Sequence, residues 1–263
     1  MEVGKPRFGR RPTSRRASGL IALGAAALLA CASCTEPEPP PPAVLVDSVT
    51  FESGEVANVS LQTAADDALS VTDSVARAGD LAGLALLRED DEQFRGDLGY
   101  RSEWQSSFDA ERDKEYWYGF SVYLPEDWDQ GDNEDFFDDR IIFQFHEGTG
   151  SSPALSLHLD DGDDRFFIRR RTDDGFEYLW SMEFETERWY DFALNVVWSR
   201  DDDGLVRLYV GGEFIGEYEG ETLVDGRLVY AKWGIYGQPT RIFLDEIRIA
   251  EGHENGLDIV SPD

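Results

Sequence analysis

Cysteine and lysine are almost missing from this chain of 263 residues. The cysteines are Cys31 and Cys34, and the lysines are Lys5, Lys114 and Lys232. Everything after Cys34 therefore lacks disulfides and thiolate chemistry. Long apolar runs are missing as well. The one continuous apolar run, which ends at Cys34, is shorter than the roughly 20 residues that a membrane-spanning helix needs.

Residues 1–34 have the pattern of an export signal. Six basic residues precede the apolar run GLIALGAAALLACASC, as is typical of signal peptides. The motif LLAC, which ends at Cys31, resembles the lipobox at which bacterial lipoproteins are cleaved and lipidated; Cys34 is a second candidate. An ordinary cleaved signal with incidental cysteines is the alternative. We expect an exported bacterial lipoprotein, in the cell envelope or outside the cell, held to the membrane only by its N-terminal lipid.

Residues 35–43 are rich in proline and glutamate. Such a segment cannot bury apolar surface and is expected to form an extended linker. The composition of the remainder, with abundant apolar and aromatic residues, allows one sizeable core. We therefore predict one folded domain over residues 44–263 and expect it to be monomeric.

The charge of the chain is strongly negative, −30 at pH 7. Without residues 1–30, the remainder has 18 basic and 53 acidic residues, a net charge of −35. Nucleic acid is excluded as a partner, because binding it requires a basic surface. Any anionic ligand must meet a local positive site in this otherwise acidic protein.

Strand signals recur along the chain, separated by turn residues. The segments concerned are EYWYGFSVYLP, RIIFQFH, ALSLHLD, RFFIRRR, FALNVVWS, LVRLYVGGEFIGEY, YAKWGIYG and RIFLDEIRIA. The Gly211-Gly212 pair indicates a hairpin turn. This pattern, with weak helical periodicity, predicts an all-β fold: a concanavalin-like jelly-roll sandwich of two antiparallel sheets.

Three strands place polar residues opposite the predicted core face. A period of two puts Ala231, Trp233 and Ile235 on one face of YAKWGIYGQ and Ile141, Phe143 and Phe145 on one face of RIIFQFH. The opposite faces, with the third strand YRSEWQ included, carry Tyr230, Lys232, Gly234, Tyr236, Ile142, Gln144, His146, Arg101, Glu103 and Gln105.

These strands resemble the signature blocks of the jelly-roll polysaccharide lyases, which include family 7 alginate lyases, glucuronan lyases and type I heparin lyases. The blocks appear here, in the family's order, as Arg101-Ser102-Glu103, Gln144-Phe145-His146 and Tyr230-Ala231-Lys232-Trp233-Gly234-Ile235-Tyr236. The resemblance begins near Val44 and covers most of the chain after it. It implies a lyase that cleaves a uronic-acid-containing, anionic polysaccharide by β-elimination and requires no cofactor for catalysis.

The resemblance also implies roles for particular residues. Gln144 and Arg101 neutralise the uronate carboxylate, with His146 close by. Tyr236 is the acid, and either Tyr236 or His146 is the base. Lys232, which shares the strand face, supplies positive charge to Tyr236, which would otherwise be a poor base at neutral pH, and Arg101 could approach the same tyrosine.

The same resemblance and the charge pattern predict roles for further residues. Glu103 and Tyr230 are predicted to bind substrate. Gly234 lets the sugar approach the strand or marks a bulge. Arg165, Arg169 and Arg171 form a basic stripe, which provides anion subsites or pairs with surface acids.

Glu52 and Asp245 are candidate ligands for a structural calcium ion, of the kind that ties chain ends together in jelly-roll carbohydrate proteins. Acidic residues are so abundant in this chain that a chance match is the alternative.

Two other functions compete with the lyase. A noncatalytic carbohydrate-binding jelly roll would use the same face without needing an acid and a base. A glycoside hydrolase would need paired carboxylates at short spacing, and no strand supplies that pattern. The acidic segment 127–139 weighs against the lyase, because a wall of negative charge would repel a polyanion.

Overall fold

The computed structural model describes residues 41–63, 65–96, 98–131, 140–148, 152–160, 162, 164–226 and 228–262. Its strands, in chain order, are β1 (Val44–Val49), β2 (Val59–Thr63), β3 (Leu69–Thr72), β4 (Ala82–Leu87), β5 (Arg101–Ser106), β6 (Ala110–Glu111), β7 (Glu115–Leu124), β8 (Arg140–His146), β9 (Leu155–Asp160), β10 (Arg165–Thr172), β11 (Gly175–Glu183), β12 (Arg188–Val197), β13 (Leu205–Val210), β14 (Glu213–Glu219), β15 (Leu228–Gly237) and β16 (Thr240–Glu251). Two short helical segments accompany them, a 3-10 turn at Phe94–Gly96 and the helix α1 (Gly256–Val260). No helix within the described ranges is long and apolar enough to cross a membrane.

The strands form two antiparallel sheets. The outer sheet has the order β14-β13-β12-β7-β16-β4-β3, with β1 also paired to β16. The second sheet, called the site sheet below, has the order β11-β10-β9-β8-β15-β5-β2, with β6 also paired to β15. The predicted all-β jelly-roll sandwich is confirmed.

Aromatic residues from both sheets interlock in the core. Phe120 of the outer sheet stacks on Phe143 of the site sheet, with ring centroids 3.9 Å apart. Tyr118 meets Phe145 edge-on at 4.6 Å, and its hydroxyl accepts a 2.8 Å hydrogen bond from the indole N–H of Trp198. Because one face of the site sheet packs in this core, polar residues can occupy its other face.

The strands that sequence periodicity missed include the sheet edges β2, β3 and β11. An edge strand is bonded on one side only and buries little of either face, so its apolar alternation is weak. In β11, for example, no residue is fully buried. The Gly211-Gly212 turn is confirmed, because both residues have positive φ between β13 and β14.

The predicted alternation of side chains in β8 is wrong at the beginning of the strand. Ile142 packs in the core together with Phe143, whereas Ile141 lies opposite Tyr236 and His158. The cause is a register shift between β8 and β9: Ile141 stands opposite His158 and Phe143 opposite the adjacent residue Leu157, so Ile142 is an extra residue in β8. A bulge of this kind brings two consecutive residues of one strand out of simple alternation.

Gly234 lies at a second register shift, where Gly234 and Ile235 of β15 stand opposite the single residue Ile142 of β8, and it does not open space for a sugar. Its φ is +129°, and a Cβ atom there would lie 2.2 Å from the carbonyl oxygen of Ser102 on β5. The missing side chain therefore permits close approach of two strands. Of the two interpretations offered by the sequence, the structure supports the bulge.

The N-terminal boundary of the folded part lies slightly before residue 44. Ala43 is buried, and its N–H donates a 2.8 Å hydrogen bond to the carbonyl of Glu254. Pro42 forms a bridge with the same residue. The last residues of the predicted linker 35–43 thus pack on the domain, while the predicted signal 1–34, with Cys31 and Cys34, lies outside the described residues.

We predict that Gly234→Ala destabilises the domain more than Gly175→Ala does. Gly175 is a matched control, because its φ of +145° is similar and no atom lies within 4 Å of a Cβ placed there. The backbone conformation alone costs about 1 kcal/mol, and the clash with Ser102 adds ~2 kcal/mol. Urea unfolding of both variants measures the difference; equal losses would show that β5 and β15 are not held at this spacing.

Candidate active site

Strands β5, β15 and β8 bring the predicted catalytic residues onto one face of the site sheet. Residues that stand opposite each other on neighbouring strands share a face. The opposed pairs here are Arg101 with Tyr236, Lys232 with both Gln105 and Gln144, and Tyr230 with His146. The residues predicted on three separate strands therefore form a continuous cluster across three adjacent strands.

A buried carboxylate, Glu103, lies at the centre of this cluster. It is 2% exposed, and its Oε1 accepts a hydrogen bond from the amide Nε2 of Gln144. Its Oε2 lies 3.5 Å from Nη1 of Arg101 and 3.8 Å from Nζ of Lys232. Glu103 was predicted to bind substrate, but it lies beneath the surface and holds three other side chains. One carboxylate between two cations leaves the cluster with a local positive charge.

Gln62 on β2 completes this network and was missed by the sequence analysis. Its Oε1 accepts 3.0 Å hydrogen bonds from Nη1 of Arg101 and from Nζ of Lys232. Its Nε2 donates to the side-chain oxygen of Gln105. The only sequence signal was a polar residue within VSLQT, which is weak because Leu61 beside it is exposed rather than buried.

Arg101, rather than Lys232, supplies a cation to Tyr236. The guanidinium carbon of Arg101 lies 4.7 Å from the centre of the Tyr236 ring, a cation–π contact. Gly99 leaves room for this ring, because a Cβ atom there would lie 3.1 Å from the Tyr236 hydroxyl. Lys232 instead reaches over Tyr230, with its Nζ 5.9 Å from that ring. The predicted pairing of Lys232 with Tyr236 is corrected accordingly.

Burial lowers the pKa of Lys232. Positive charge on Arg101 lowers this pKa further, whereas the negative charge of Glu103 raises it. The three groups are electrostatically coupled, so a change at one of them alters the charge balance of the others.

His146 is neutral at neutral pH. Its pKa is lowered from 6.5 to about 4, chiefly by burial and then by the positive charges of Lys232, Arg101 and Arg171, while a backbone hydrogen bond with Gly148 opposes these effects. Its ring stacks on Tyr230 with centroids 5.7 Å apart and planes 11° apart. A neutral imidazole held in one orientation can accept a proton.

Tyr230 is protonated beside His146. Burial and the negative charges of Glu103 and Asp109 raise its pKa, against a smaller opposing effect of Arg101. Its hydroxyl donates a 3.3 Å hydrogen bond to the carbonyl of Gly148. This contact fixes the surface on which the His146 ring rests.

The predicted basic stripe on β10 is divided among different partners. Arg171 lies 3.2 Å from the buried Glu147 and also pairs with Asp225. The guanidinium of Arg169 lies beneath the ring of Phe176, 4.0 Å from its centre, and the residue is 8% exposed.

Arg165 lies about 13 Å farther along the strand from Arg169. It pairs with Glu183 at 3.3 Å. Arg165 and Arg171 therefore pair with acids, as the alternative interpretation held, and direct substrate contact by the arginines of the stripe stays a prediction.

Glu52 and Asp245, the candidate calcium ligands, both accept hydrogen bonds from backbone N–H groups. Glu52 accepts backbone hydrogen bonds from Asp80 and Leu81, and Asp245 accepts them from Arg77, Ala78 and Glu246. Each carboxylate thus accepts hydrogen bonds from backbone N–H groups of residues 77–81 or of its own strand. Across the ranges that the structure describes, no group of three or more His, Cys, Asp or Glu side chains could hold a metal. The calcium site stays a prediction that these contacts do not favour.

A sequence model of the polysaccharide lyase family matches residues 50–248 of the chain. This range covers most of the chain and includes all the residues of the cluster described above. No curated protein matches the chain.

Solved structures share the fold at low sequence identity. An endo-β-1,4-glucuronan lyase from the fungus Trichoderma reesei is 18% identical, with a TM-score of 0.64 over 84% of this chain and 99% of that one. The globular domain of T. cruzi calreticulin is 11% identical, with a TM-score of 0.55 over 82% and 92%. The catalytic domain of a glycoside hydrolase family 131 protein from Coprinopsis cinerea is 11% identical, with a TM-score of 0.51 over 78% and 90%. A fold shared this widely leaves the activity to be argued from the site.

We predict that His146 titrates near pH 4 in the folded protein and that Lys232→Met raises its pKa. The rise stops short of 6.5, because burial, the larger cause, remains. Since the folded pKa lies below the unfolded value, the stability that neutral His146 contributes is lost as pH falls from about 6.5 to about 4. Histidine NMR titration measures both values.

Lys114→Met is the matched control for this titration. Lys114 pairs with Glu251 of the outer sheet, and its replacement by Met removes the same charge from the protein. A His146 pKa near 6.5 in the unaltered protein, or an equal rise in both variants, would contradict the assigned electrostatics.

Proposed function

Because this chain belongs to the polysaccharide lyase family, we propose that it cleaves a uronic-acid-containing polysaccharide by β-elimination. The observation that carries this proposal is the positive cluster around Glu103, which presents Gln144 and Arg101 between a neutral His146 and Tyr236. In a protein of net charge −30, such a cluster is the local positive site that a polyanion requires.

Gln144 and Arg101 act on the uronate carboxylate. Removal of the C5 proton is difficult while the adjacent carboxylate is ionised, because negative charge accumulates as the C–H bond breaks. One amide hydrogen of Gln144 is held by Glu103, and the amide has a second for the substrate. Together with the charge of Arg101, it stabilises the enolate-like intermediate at the moment it forms.

Tyr236 donates the proton that the leaving O4 requires. The electron pair of the broken C5–H bond forms the C4–C5 double bond, the C4–O4 bond breaks, and O4 takes the tyrosine proton. The product is an unsaturated uronate at one new chain end and a free hydroxyl at the other. The Arg101 guanidinium over the Tyr236 ring favours the phenolate that this step leaves.

Two groups are candidates for the base that takes the C5 proton. Tyr236 lies opposite Ile141 and His146 opposite Tyr230, so the two lie on opposite sides of Gln144 along β8. Where the C5 proton and O4 share a face of the sugar, as in glucuronate and mannuronate, Tyr236 serves as both base and acid. Where they lie on opposite faces, as in guluronate and iduronate, His146 is the base.

The site supports a lyase over the two alternatives. A hydrolase needs two carboxyl groups beside the scissile bond, whereas Glu103 is buried and engaged with Gln144. A noncatalytic binding face has no need of a neutral imidazole and a tyrosine on either side of an amide. The acidic segment 127–139 does not test the proposal, because residues 132–139 lie outside the described residues.

Export completes the proposal. The basic and apolar pattern of residues 1–34 supports secretion and lipid attachment at Cys31, with Cys34 as the alternative. The protein would then act outside the cytoplasmic membrane, where polysaccharide chains too large for uptake are encountered.

We predict that the purified protein generates the ultraviolet absorbance of unsaturated uronate on one of three polymers: glucuronan, alginate or a heparin-type chain. Glucuronan comes first, because a glucuronan lyase shares the fold over nearly its whole length. Tyr236→Phe should lower kcat by roughly 10²- to 10⁴-fold, the usual contribution of a general acid or base. Binding of a polymer without any unsaturated product would refute the lyase.

Tyr209→Phe is the matched control for this loss. Tyr209 lies on β13 of the outer sheet, where it packs against Trp117 and Phe214. Tyr209→Phe also removes a phenolic hydroxyl, but one far from the cluster, and this variant should keep full activity.

We predict that His146→Gln separates the two stereochemical classes of substrate. Activity on same-face substrates, glucuronan and polymannuronate, should persist, because Tyr236 performs both proton transfers. Activity on polyguluronate should fall by at least about 10²-fold, since its base is lost. Equal loss on both classes, with the melting temperature unchanged, would assign the base to His146 throughout.

A further inference from the structure

Two aromatic side chains on the edge strand β11 are left exposed on the face that carries the active site. Tyr178 is 66% exposed and Phe176 is 46% exposed. They stand opposite Arg169 and Arg171 on β10, and those arginines share the face of the catalytic cluster. Exposed aromatic rings on a functional face are a common way to bind an apolar or amphipathic surface.

Tyr178 lies in the same lateral row as Gln144. Across the ladder, Tyr178 stands opposite Arg169, Arg169 opposite Ser156, Ser156 opposite Gln144, and Gln144 opposite Lys232. The row crosses three strand spacings between Tyr178 and Gln144, about 14 Å. A polysaccharide chain that crosses the strands at Gln144 therefore reaches Tyr178 after a few linked sugar rings.

The side chains on the sheet surface between Gln144 and Tyr178 are packed against one another. Ser156 and His158 are buried and joined by a 2.7 Å contact between Oγ and Nε2. His158 stacks on Phe167, with ring centroids 4.7 Å apart. Burial holds the pKa of His158 well below its usual value, so the ring is neutral. No ionised carboxylate of this row stands between Gln144 and Tyr178 to repel a uronan chain.

The surroundings of Tyr178 suit a sugar ring. A cavity of about 340 Å³ beside it is also lined by Asp160, Arg165, Phe167 and Ser181. Arg165 is partly exposed and pairs with Glu183, an exposed residue, in a bridge that solvent weakens. Its guanidinium can exchange that partner for a uronate carboxylate or a hydroxyl, and Asp160 can accept a hydrogen bond from a hydroxyl.

We propose that Tyr178 forms a distal subsite that stacks on a sugar ring of the same uronan chain whose reacting residue lies at Gln144. Arg165 binds the polar edge of that ring. This inference rests on the proposed function for its ligand, and it adds a specificity for chain length: polymers and long oligomers reach both points, whereas short oligomers occupy Gln144 alone.

The test compares Tyr178→Ala with unaltered protein on glucuronan, and on the other uronans if glucuronan is not cleaved. Loss of stacking should raise KM for the polymer about 3- to 10-fold and leave kcat unchanged, because Tyr178 does not touch the reacting atoms. Oligomers too short to span from Gln144 to Tyr178 should show no change in KM. Tyr178→Phe, which keeps the ring, should restore the KM of the unaltered protein.

Phe214→Ala is the matched control. Phe214 is 57% exposed on β14, the edge strand of the outer sheet, and should leave KM unchanged for every chain length. An unchanged polymer KM in Tyr178→Ala, or equal rises for short and long chains, would overturn the subsite while leaving the lyase intact.

Binding measured in the Tyr236→Phe background separates the two proposals. Calorimetric titration of Tyr236→Phe and of Tyr236→Phe/Tyr178→Ala with the same uronans requires no turnover. Tighter binding of long chains that disappears in the double variant supports the subsite even if the protein forms no unsaturated product. Affinity that does not depend on chain length overturns the subsite, and absence of binding to every uronan overturns both proposals.

Discussion

The buried carboxylate of Glu103 is the interaction on which the site depends. A charge removed from water is tolerated only where opposite charges and hydrogen-bond donors surround it. Here Arg101, Lys232 and Gln144 supply them from strands β5, β15 and β8, and Gln62 on β2 joins the two cations from the other side. Removing Glu103 would leave two buried cations to repel each other. Together with Gln62, the same group therefore links four strands and orients the side chains that we propose contact the substrate.

This arrangement also reconciles an acidic protein with the anionic ligand that we propose. The chain carries −30 overall, so unpaired positive charge is scarce and must be protected from surface acids. In the cluster around Glu103 the cations outnumber the carboxylate, whereas Arg171 and Arg165 on β10 are matched by Glu147, Asp225 and Glu183. Excess positive charge is thus concentrated at Gln144, while aromatic rings dominate the far edge of the same face.

The resemblance to polysaccharide lyases identified the cluster from its blocks alone, because residues at alternate positions of adjacent strands must share a face. One residue of the network escaped this reasoning, and of the two cations considered for Tyr236 the wrong one was preferred. Gln62 lies on an edge strand with an exposed leucine beside it, so no buried face revealed its direction. The cation for Tyr236 is Arg101, because contact across strands depends on the register between β5 and β15, which the sequence of either strand does not contain.

The sequence by itself determined the all-β class, most central strands and the residue types of the site, because a period of two and turn-forming glycines are local properties. Only the tertiary structure decided which side chains touch. Pairing set the bulge at Gly234, moved Ile142 into the core, buried Glu103 and aligned Tyr178 with Gln144 across four strands. Those outcomes depend on strand order and register, which arise from contacts between residues far apart in the chain.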